Sequence, residues 1–464
     1  MRVLVMGLGL HGGGLESARY LARMGAELTV TDLRDETVLA PSLEKLEAAA
    51  GGAVRYVLGR HEMEDFARAD MVIKNPAVRP DSPFLRAARR IETDISLFLA
   101  ASPARLTAVT GSKGKSGTAS ALHRVLQEGR SRGLLRGTAY LGGNITRSPL
   151  SFLEALGEDD DVVLELSSWQ LGDLRRRRAD GQALLKPRAA VLTAIMADHQ
   201  DRYHSMEAYV ADKRVIYQGQ DQGDATVAGD DAWGRSFLAE TGGRPLMYAE
   251  EPLPAGTAGG WLSGGDGPAL GRLPSGETAE IVPARLLVPG RHQKRNLLAA
   301  ALALLDLGLP PALIREALGN FPGIEHRLEF FHQAGGIRFY NDTAATIPEA
   351  AAAALAAFDP APVLVAGGTD KDLDFSPLAR AAAGAKALVL LAGTGSEKLR
   401  ALLDRGGVPY RGPFDSVEGA VRAALEEARA GDAVVLSPGC ASFGMFLNEF
   451  DRGRRWKEAV RRLA

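Results

Sequence analysis

Residues Leu106–Ser116 read LTAVTGSKGKS, a short apolar run that breaks into a glycine loop, and the apolar spacing of Thr118–Gln127 predicts a helix directly afterwards. Strand, glycine loop and helix in that order make a phosphate cradle, because glycines let successive backbone N–H groups turn inward at a helix N-terminus. On this reading Gly111, Ser112, Lys113, Gly114, Lys115, Ser116 and Gly117 wrap a nucleoside triphosphate. Lys115 would reach the β- and γ-phosphates, and the Ser116 hydroxyl would ligate Mg²⁺. The loop is one residue shorter before GKS than the usual loop of nucleotide hydrolases. The plain alternative is a turn followed by a capped helix.

Outward from this loop, strand and helix patterns alternate in both directions. Arg2–Met6 reads as a buried strand, Leu15–Met24 as a helix and Glu27–Thr31 as a second strand, with further alternation from Met71–Ile73 to Phe98. Pro103 precedes the strand at Leu106, which suggests a boundary near residue 102. Beyond the loop come strands Val162–Leu166 and Ala189–Leu192, helices Met206–Tyr217 and Leu297–Leu307, and a glycine-rich stretch, Gly256–Gly271, of turns between short strands. Another alternating run follows His326–Arg327, through Arg338–Tyr340, Val363–Ala366, Ala387–Leu391 and Ala433–Leu436. The run Arg175–Arg178 reads as a solvated face or turn. The fold class expected is α/β, as three consecutive α/β domains: a Rossmann-like N-terminal domain (1–102), a P-loop ATPase domain (103–327) and a Rossmann-like C-terminal domain (328–464).

Composition narrows the function classes. A chain of 464 residues, 46% hydrophobic and 24% charged, is globular and long enough for several cores. A net charge of -2 offers no electrostatic footprint for nucleic acid, and no apolar run is long enough for membrane insertion. The start lacks a signal-peptide cleavage site, and Cys440 is the sole cysteine, so a cytoplasmic protein without an intrachain disulfide is expected. Only 11 of the 55 basic residues are lysine, which draws attention to the lysines that fall inside motifs: Lys113, Lys115, Lys213 and Lys371.

Three further places carry chemistry. Gly7-Leu-Gly-Leu-His-Gly12, with Asp32 ending the second strand, reads as a dinucleotide fingerprint, Asp32 being placed for a ribose hydroxyl. A nicotinamide cofactor, another nucleotide and a nucleotide-diphosphate substrate all satisfy it. Glu165 stands at the tip of an apolar strand, where a carboxylate suits a Mg²⁺ ligand, or is merely solvated ahead of a helix capped by Ser167 or Ser168. His199 lies in DHQDRY between Asp198 and Asp201, after another strand. Lys213 follows on a helix, and by spacing alone it has no special role.

Together these stretches resemble the Mur ligases of peptidoglycan synthesis over nearly the whole chain. The resemblance runs through GLGLHG, TGSKGKS, GGN at Gly142–Asn144, ELSSWQL from Glu165, DHQDRY with Lys213, GRHxxxN ending at Asn296, and HRLE from His326. It continues through NDT at Asn341–Thr343, GGTDKDLDF from Gly367 and SPGCASF from Ser437. The ELSS, NDT and SPGCAS stretches resemble the glutamate-adding member. The resemblance implies an ATP-dependent, ADP-forming ligase that joins glutamate, by default D-glutamate, to UDP-N-acetylmuramoyl-L-alanine through an acyl phosphate. It implies that Gly7, Gly9, Leu10, His11, Asp32 and Arg34 bind the uridine nucleotide, with Asn144 near the muramoyl-alanine. ATP would be held by the Gly111–Gly117 loop together with Asn296, Arg327 and Asp342. Lys115, Glu165, His199 and Lys213 would be catalytic. Ser116, Glu165, His199 and a carbamylated Lys213 would hold two Mg²⁺ ions, and Thr346, Lys371 and Ser442 would bind the glutamate. The C-terminal domain would close over the site, and the enzyme would act as a monomer.

The sequence departs from the family pattern at Gln293, Ala344, Gly444 and Glu449, where Asn, Lys, Asp and an aromatic residue are usual. The last three fall in the domain expected to read the amino acid. Ala344 removes a cation and Glu449 adds an anion, which weakens binding of a dianionic glutamate unless another base, Arg452, compensates. The departures are also compatible with an L-glutamate-adding variant. A non-catalytic nucleotide-binding regulator is the rival of another class, although it would need no second-metal residues.

Overall fold

The computed structural model describes residues 1–10, 12–49, 52–145, 147–175, 181–264, 267–273 and 275–464. The chain forms two compact units, Met1–Ala284 with Arg295–Ala317, and Arg285–Lys294 with Leu318–Ala464. The first unit holds two α/β sheets and the second holds one, so the three α/β domains read from the sequence are present as three sheets.

The first sheet is parallel throughout. Its strands are β1 (Arg2–Met6), β2 (Glu27–Asp32), β3 (Val54–Leu58), β4 (Met71–Lys74) and β5 (Ile91–Glu92), in the order β3-β2-β1-β4-β5. Successive side chains of β1 enter opposite cores: Val3 and Val5 pack with Leu15, Leu28 and Val30, while Leu4 and Met6 pack with Phe66 and Val72. Helices on both faces explain why β1 is apolar without alternation. The strand order reverses between β1 and β4, which opens a crevice beyond the carboxyl end of β1 where the Gly7–Gly12 turn begins.

The second sheet has strands β6 (Arg105–Thr110), β7 (Ala139–Gly143), β8 (Asp161–Glu165), β9 (Ala189–Leu192), β10 (Ala225–Gly229), β11 (Arg244–Ala249), β12 (Gly259–Leu262), β13 (Ala269–Arg272) and β14 (Thr278–Val282). Their order is β14-β13-β12-β11-β10-β9-β6-β8-β7, with antiparallel pairing only from β12 to β14. β6 lies between β8 and β9, so its loop opens at the reversal point. The apolar helix of the sequence reading spans Arg291–Asp306, and Met206–Lys213 ends in a 3-10 turn at Arg214–Ile216 instead of continuing to Tyr217.

A buried ion pair joins the layers of the two sheets within this unit. Lys74 Nζ, at the end of β4, lies 2.7 Å from Asp173 Oδ2 on the helix Ser168–Asp173, with side chains 3% and 15% exposed. Of the arginine run, Arg175 is exposed and pairs with Asp212 at 2.6 Å, whereas 176–178 lie outside the described residues.

The second unit carries β15 (Glu329–Ala334), β16 (Ile337–Asn341), β17 (Val363–Ala366), β18 (Ala387–Leu391), β19 (Arg411–Phe414) and β20 (Ala433–Leu436), in the order β15-β16-β20-β17-β18-β19. Only the β15–β16 hairpin is antiparallel. Among the described residues, no helix is long and apolar enough to cross a membrane.

Candidate active site

The Gly111–Ser116 loop turns as the sequence requires. Gly111 and Gly114 have φ of 148° and 93°, and a Cβ on Gly114 would lie 2.5 Å from Asn296 Oδ1. The helix therefore starts at Lys115, earlier than its apolar spacing suggests, and runs to Ser131. Ser112 is buried and anchors the loop: its N–H donates to the Ala194 carbonyl at 2.8 Å and its hydroxyl donates to the Met196 carbonyl at 2.9 Å. The close approach of Asn296 to Gly114 brings one expected ATP residue to the loop.

Lys115 and Lys213 converge on one acceptor. Lys115 Nζ donates to the Gly111 carbonyl at 3.0 Å, and Lys213 Nζ donates to the same oxygen at 2.8 Å. Lys213 ends the helix Met206–Lys213 and is 1% exposed. Burial, and then the positive charge of Lys115, push its amine down to about 7. A lysine without a role by spacing thus carries an amine held well below the ordinary lysine range. One helical turn earlier, Tyr209 sits under it: the ring centroid is 4.6 Å from Lys213 Nζ, and the hydroxyl is 2.9 Å from Ser112 Oγ. Tyr209 was missed by the sequence reading, yet its i, i+4 spacing from Lys213 places both on one helix face.

Glu165, the last residue of β8, is 1% exposed. The sequence alternatives are both partly realised: Ser167 does cap the following helix, in a capping box with Gln170, but Glu165 is not solvated. Its Oε1 accepts from Asn144 Nδ2 at 3.0 Å, and Oε2 is buried with no hydrogen-bond partner among the described residues. An orphaned carboxylate oxygen beside a hydroxyl-bearing loop fits a hard cation such as Mg²⁺. His199 holds φ of 51°, uncommon for a residue with a side chain, and its half-exposed ring stands 5.0 Å from that of Trp169. The Arg202 guanidinium lies 4.3 Å from the Trp169 ring. Lys113 reaches Asp198 at 3.7 Å.

The first glycine loop borders a cavity of about 670 Å³ lined by Gly7, Gly9, Asp32, Arg34, Asn75 and Phe84 among others. Gly14 closes its helix onto the strand, since a Cβ there would lie 2.0 Å from the Gly7 carbonyl oxygen. Asp32 shapes the loop: Oδ2 accepts from Gly9 N–H at 3.1 Å and Oδ1 from Arg34 N–H at 3.0 Å. Leu10 is exposed, and His11 lies outside the described residues.

In the second unit Arg327 is exposed on a turn in which His326 and Leu328 have φ of 69° and 44°. Asp342 accepts from Leu328 N–H at 3.1 Å and from Ser437 Oγ at 2.6 Å. Burial raises its carboxyl to about 6 against those hydrogen bonds. Backbone bonds between Thr369 and Ala441, both 3.0 Å, tie the Lys371 loop to the Ser442 loop, and Lys371 Nζ stands 5.7 Å from the Phe443 ring centroid. Gly439 N–H donates to Ala345 O, which brings the neighbour of Thr346 to the same loop. Arg452 is not the replacement cation expected. It is 1% exposed, and its guanidinium donates to Thr343 Oγ1, Thr343 O, Cys440 O and Ala441 O, so it pins the loops instead of facing a ligand.

Family models match the chain in three consecutive blocks: Mur ligase MurD-like N-terminal domain over residues 1–96, Mur ligase middle domain over 109–304, and the Mur ligase glutamate ligase domain over 326–440. The UDP-N-acetylmuramoylalanine–D-glutamate ligase of Treponema pallidum (strain Nichols) is 43% identical, covering 99% of this chain and 97% of its own length. Its namesake in Roseiflexus sp. (strain RS-1) is also 43% identical, over 99% and 98%. The crystal structure of UDP-N-acetylmuramate-alanine ligase from Thermotoga maritima shares the fold at a TM-score of 0.55 and 19% identity, covering 100% of both chains. The chain belongs to the Mur ligase family, on its MurD-like branch.

Proposed function

We propose that this chain is an ATP-dependent ligase that joins D-glutamate to the alanine carboxylate of UDP-N-acetylmuramoyl-L-alanine, in peptidoglycan synthesis. The observation that carries the reading is the end-to-end identity with ligases bearing that name. The alanine carboxylate attacks the γ-phosphate to give an acyl phosphate, and the glutamate amine then displaces phosphate. Lys115 and the backbone N–H groups of Gly111–Gly117 neutralise and align the triphosphate, so positioning and charge supply most of the rate. Two Mg²⁺ ions, held by Ser116, Glu165, His199 and Lys213, would offset the repulsion between carboxylate and triphosphate.

The orphaned Oε2 of Glu165 supports a metal role, and Asn144 beside it suits the muramoyl-alanine end of the substrate. The depressed amine of Lys213 supports carbamylation: the neutral form adds CO₂ and releases a proton, and the resulting anion faces Lys115 as an attractive partner. Gly7, Gly9, Leu10, His11, Asp32 and Arg34 serve the uridine nucleotide. Asn296, Arg327 and Asp342 serve ATP, and Thr346, Lys371 and Ser442 the glutamate, through charge-assisted hydrogen bonds to its carboxylates. On this reading the domains divide at 102/103 and 327/328, and the enzyme works in the cytoplasm as a monomer.

The test supplies ATP, UDP-N-acetylmuramoyl-L-alanine and each glutamate enantiomer, with ADP release and product mass measured. We expect at least about tenfold higher kcat/KM for D-glutamate, a modest difference for a site that reads geometry through hydrogen bonds. Preference for L-glutamate would give Ala344 and Glu449 a role in selectivity and overturn the choice of enantiomer. No substrate-dependent ADP release would overturn the ligase.

A further inference from the structure

A histidine that the reaction does not use lines the first cavity. His61 follows β3, and its ring makes edge contacts with Phe66 and Phe84 at centroid distances of 5.9 and 5.1 Å. Its Nδ1 lies 2.7 Å from Thr31 Oγ1, which also stands 2.9 Å from the carbonyl oxygen of Arg60. A hydroxyl has one proton and a carbonyl can only accept, so the Thr31 proton goes to Arg60 O. His61 Nδ1 must then carry the hydrogen and donate it to Thr31. In the neutral ring this leaves Nε2 as a bare acceptor, and no described residue hydrogen-bonds to it.

Neutrality is favoured at this position. Burial of the ring lowers its proton affinity and outweighs the opposing pull of Asp32, whose two oxygens already accept from the Gly9 and Arg34 backbone. Apolar side chains, Leu33, Val78, Pro83 and Phe84, supply walls for a flat base in the same cavity. The cavity therefore pairs apolar walls with a fixed lone pair.

We propose that His61 is a base-specificity residue, whose Nε2 accepts the N3–H of the uracil ring. The inference rests on the reading of this cavity as the uridine-nucleotide site. Uracil carries one ring donor, N3–H, between two carbonyls, whereas cytosine has a lone pair at N3. An acceptor locked by the Thr31–Arg60 relay therefore pairs with uracil and repels cytosine. Selection is strong when a mismatched base leaves a positioned polar atom unpaired.

The experiment measures binding of UDP and CDP to the full chain, wild type and two variants, by titration calorimetry. Wild type should favour UDP by about tenfold or more, the range of one unsatisfied hydrogen bond. In His61→Phe, which keeps an aromatic ring against Phe66 and Phe84, UDP affinity should fall by about tenfold and the preference should shrink to within about twofold. His61→Gln, whose amide offers either a donor or an acceptor, should recover UDP binding and also admit CDP. This second variant keeps the test decisive if His61→Phe folds poorly. Equal affinity of wild type for UDP and CDP, or an undiminished preference in the variants, would overturn the role of His61 and leave the nucleotide site standing. Failure of wild type to bind UDP at all would overturn the nucleotide site itself, and this inference with it.

Discussion

The two glycine loops of the first unit are built alike and charged differently. Each follows a buried strand at the point where strand order reverses, and each feeds a helix, Gly13–Arg23 or Lys115–Ser131. Around the second loop stand Lys113, Lys115 and Lys213, two of them on a single carbonyl oxygen. Around the first stands Asp32, an acid, with its oxygens tied to the backbone of the loop itself. A backbone cradle alone is enough to hold a phosphate group. Concentrated positive charge is needed where phosphate is to be transferred, because charge there changes on the way to the transition state. On the proposed function, the contrast teaches that the glycines mark binding and the lysines mark chemistry.

The contrast is broken or sharpened by substitution, taken here from the largest expected effect to the smallest. Lys115→Ala should reduce turnover by more than about a hundredfold, since one phosphate-charge contact in such a site contributes several kcal/mol. UDP affinity should be unchanged. Near-normal turnover in a steady-state ADP assay would mean that the second loop is not the transfer site. Lys213→Ala should lose about a hundredfold, of the order seen when a residue acting only in the transition state is removed. Acetate or formate should restore part of that activity by supplying a carboxylate, and Lys213→Arg should stay inactive because it forms no carbamate. Full activity of Lys213→Arg would remove the carbamate from the scheme.

Asp32→Asn is the smallest effect and the sharpest contrast. It keeps the shape but loses a charged acceptor for two backbone N–H groups, a change of about 1.5–3 kcal/mol for such hydrogen bonds. KM for the UDP substrate should rise about tenfold with kcat within about twofold, on the scale of those hydrogen bonds. A collapse of kcat would mean that the first loop also serves the chemistry.

Both loops were legible in the sequence because strand, glycines and helix are contiguous, and local spacing suffices to recognise them. What lay further apart was less legible. Asp32 reads from the sequence as a residue for a ribose hydroxyl; what the sequence does not announce is that its carboxylate also accepts from the Gly9 and Arg34 backbone, a contact set by the closeness of two loops 23 residues apart. Lys213 drew a role only from the family resemblance, since nothing local announces that burial beside Lys115 will lower the proton affinity of its amine. Tyr209 carried a usable helical signal that went unread. Thr31 lies on β2 and His61 just beyond the end of β3, and the pairing of β2 with β3 brings them together. Arg452 was misjudged for the opposite reason: a surface-type residue near the end of the chain is sealed by four acceptors from two separate loops.

The Lys74–Asp173 pair has a historical consequence. Removing either partner strands an ion in the interior, at a cost of about 3–5 kcal/mol, whereas exchanging both for apolar residues is close to neutral. Every single-step route away from the pair thus passes through a weakened ancestor, and most proteins have only about 5–15 kcal/mol of stability to lose. Lineages descending from this chain should keep both residues or neither. The two positions, 99 residues apart, are therefore expected to change in step, as a linked inheritance written into the join between two sheets.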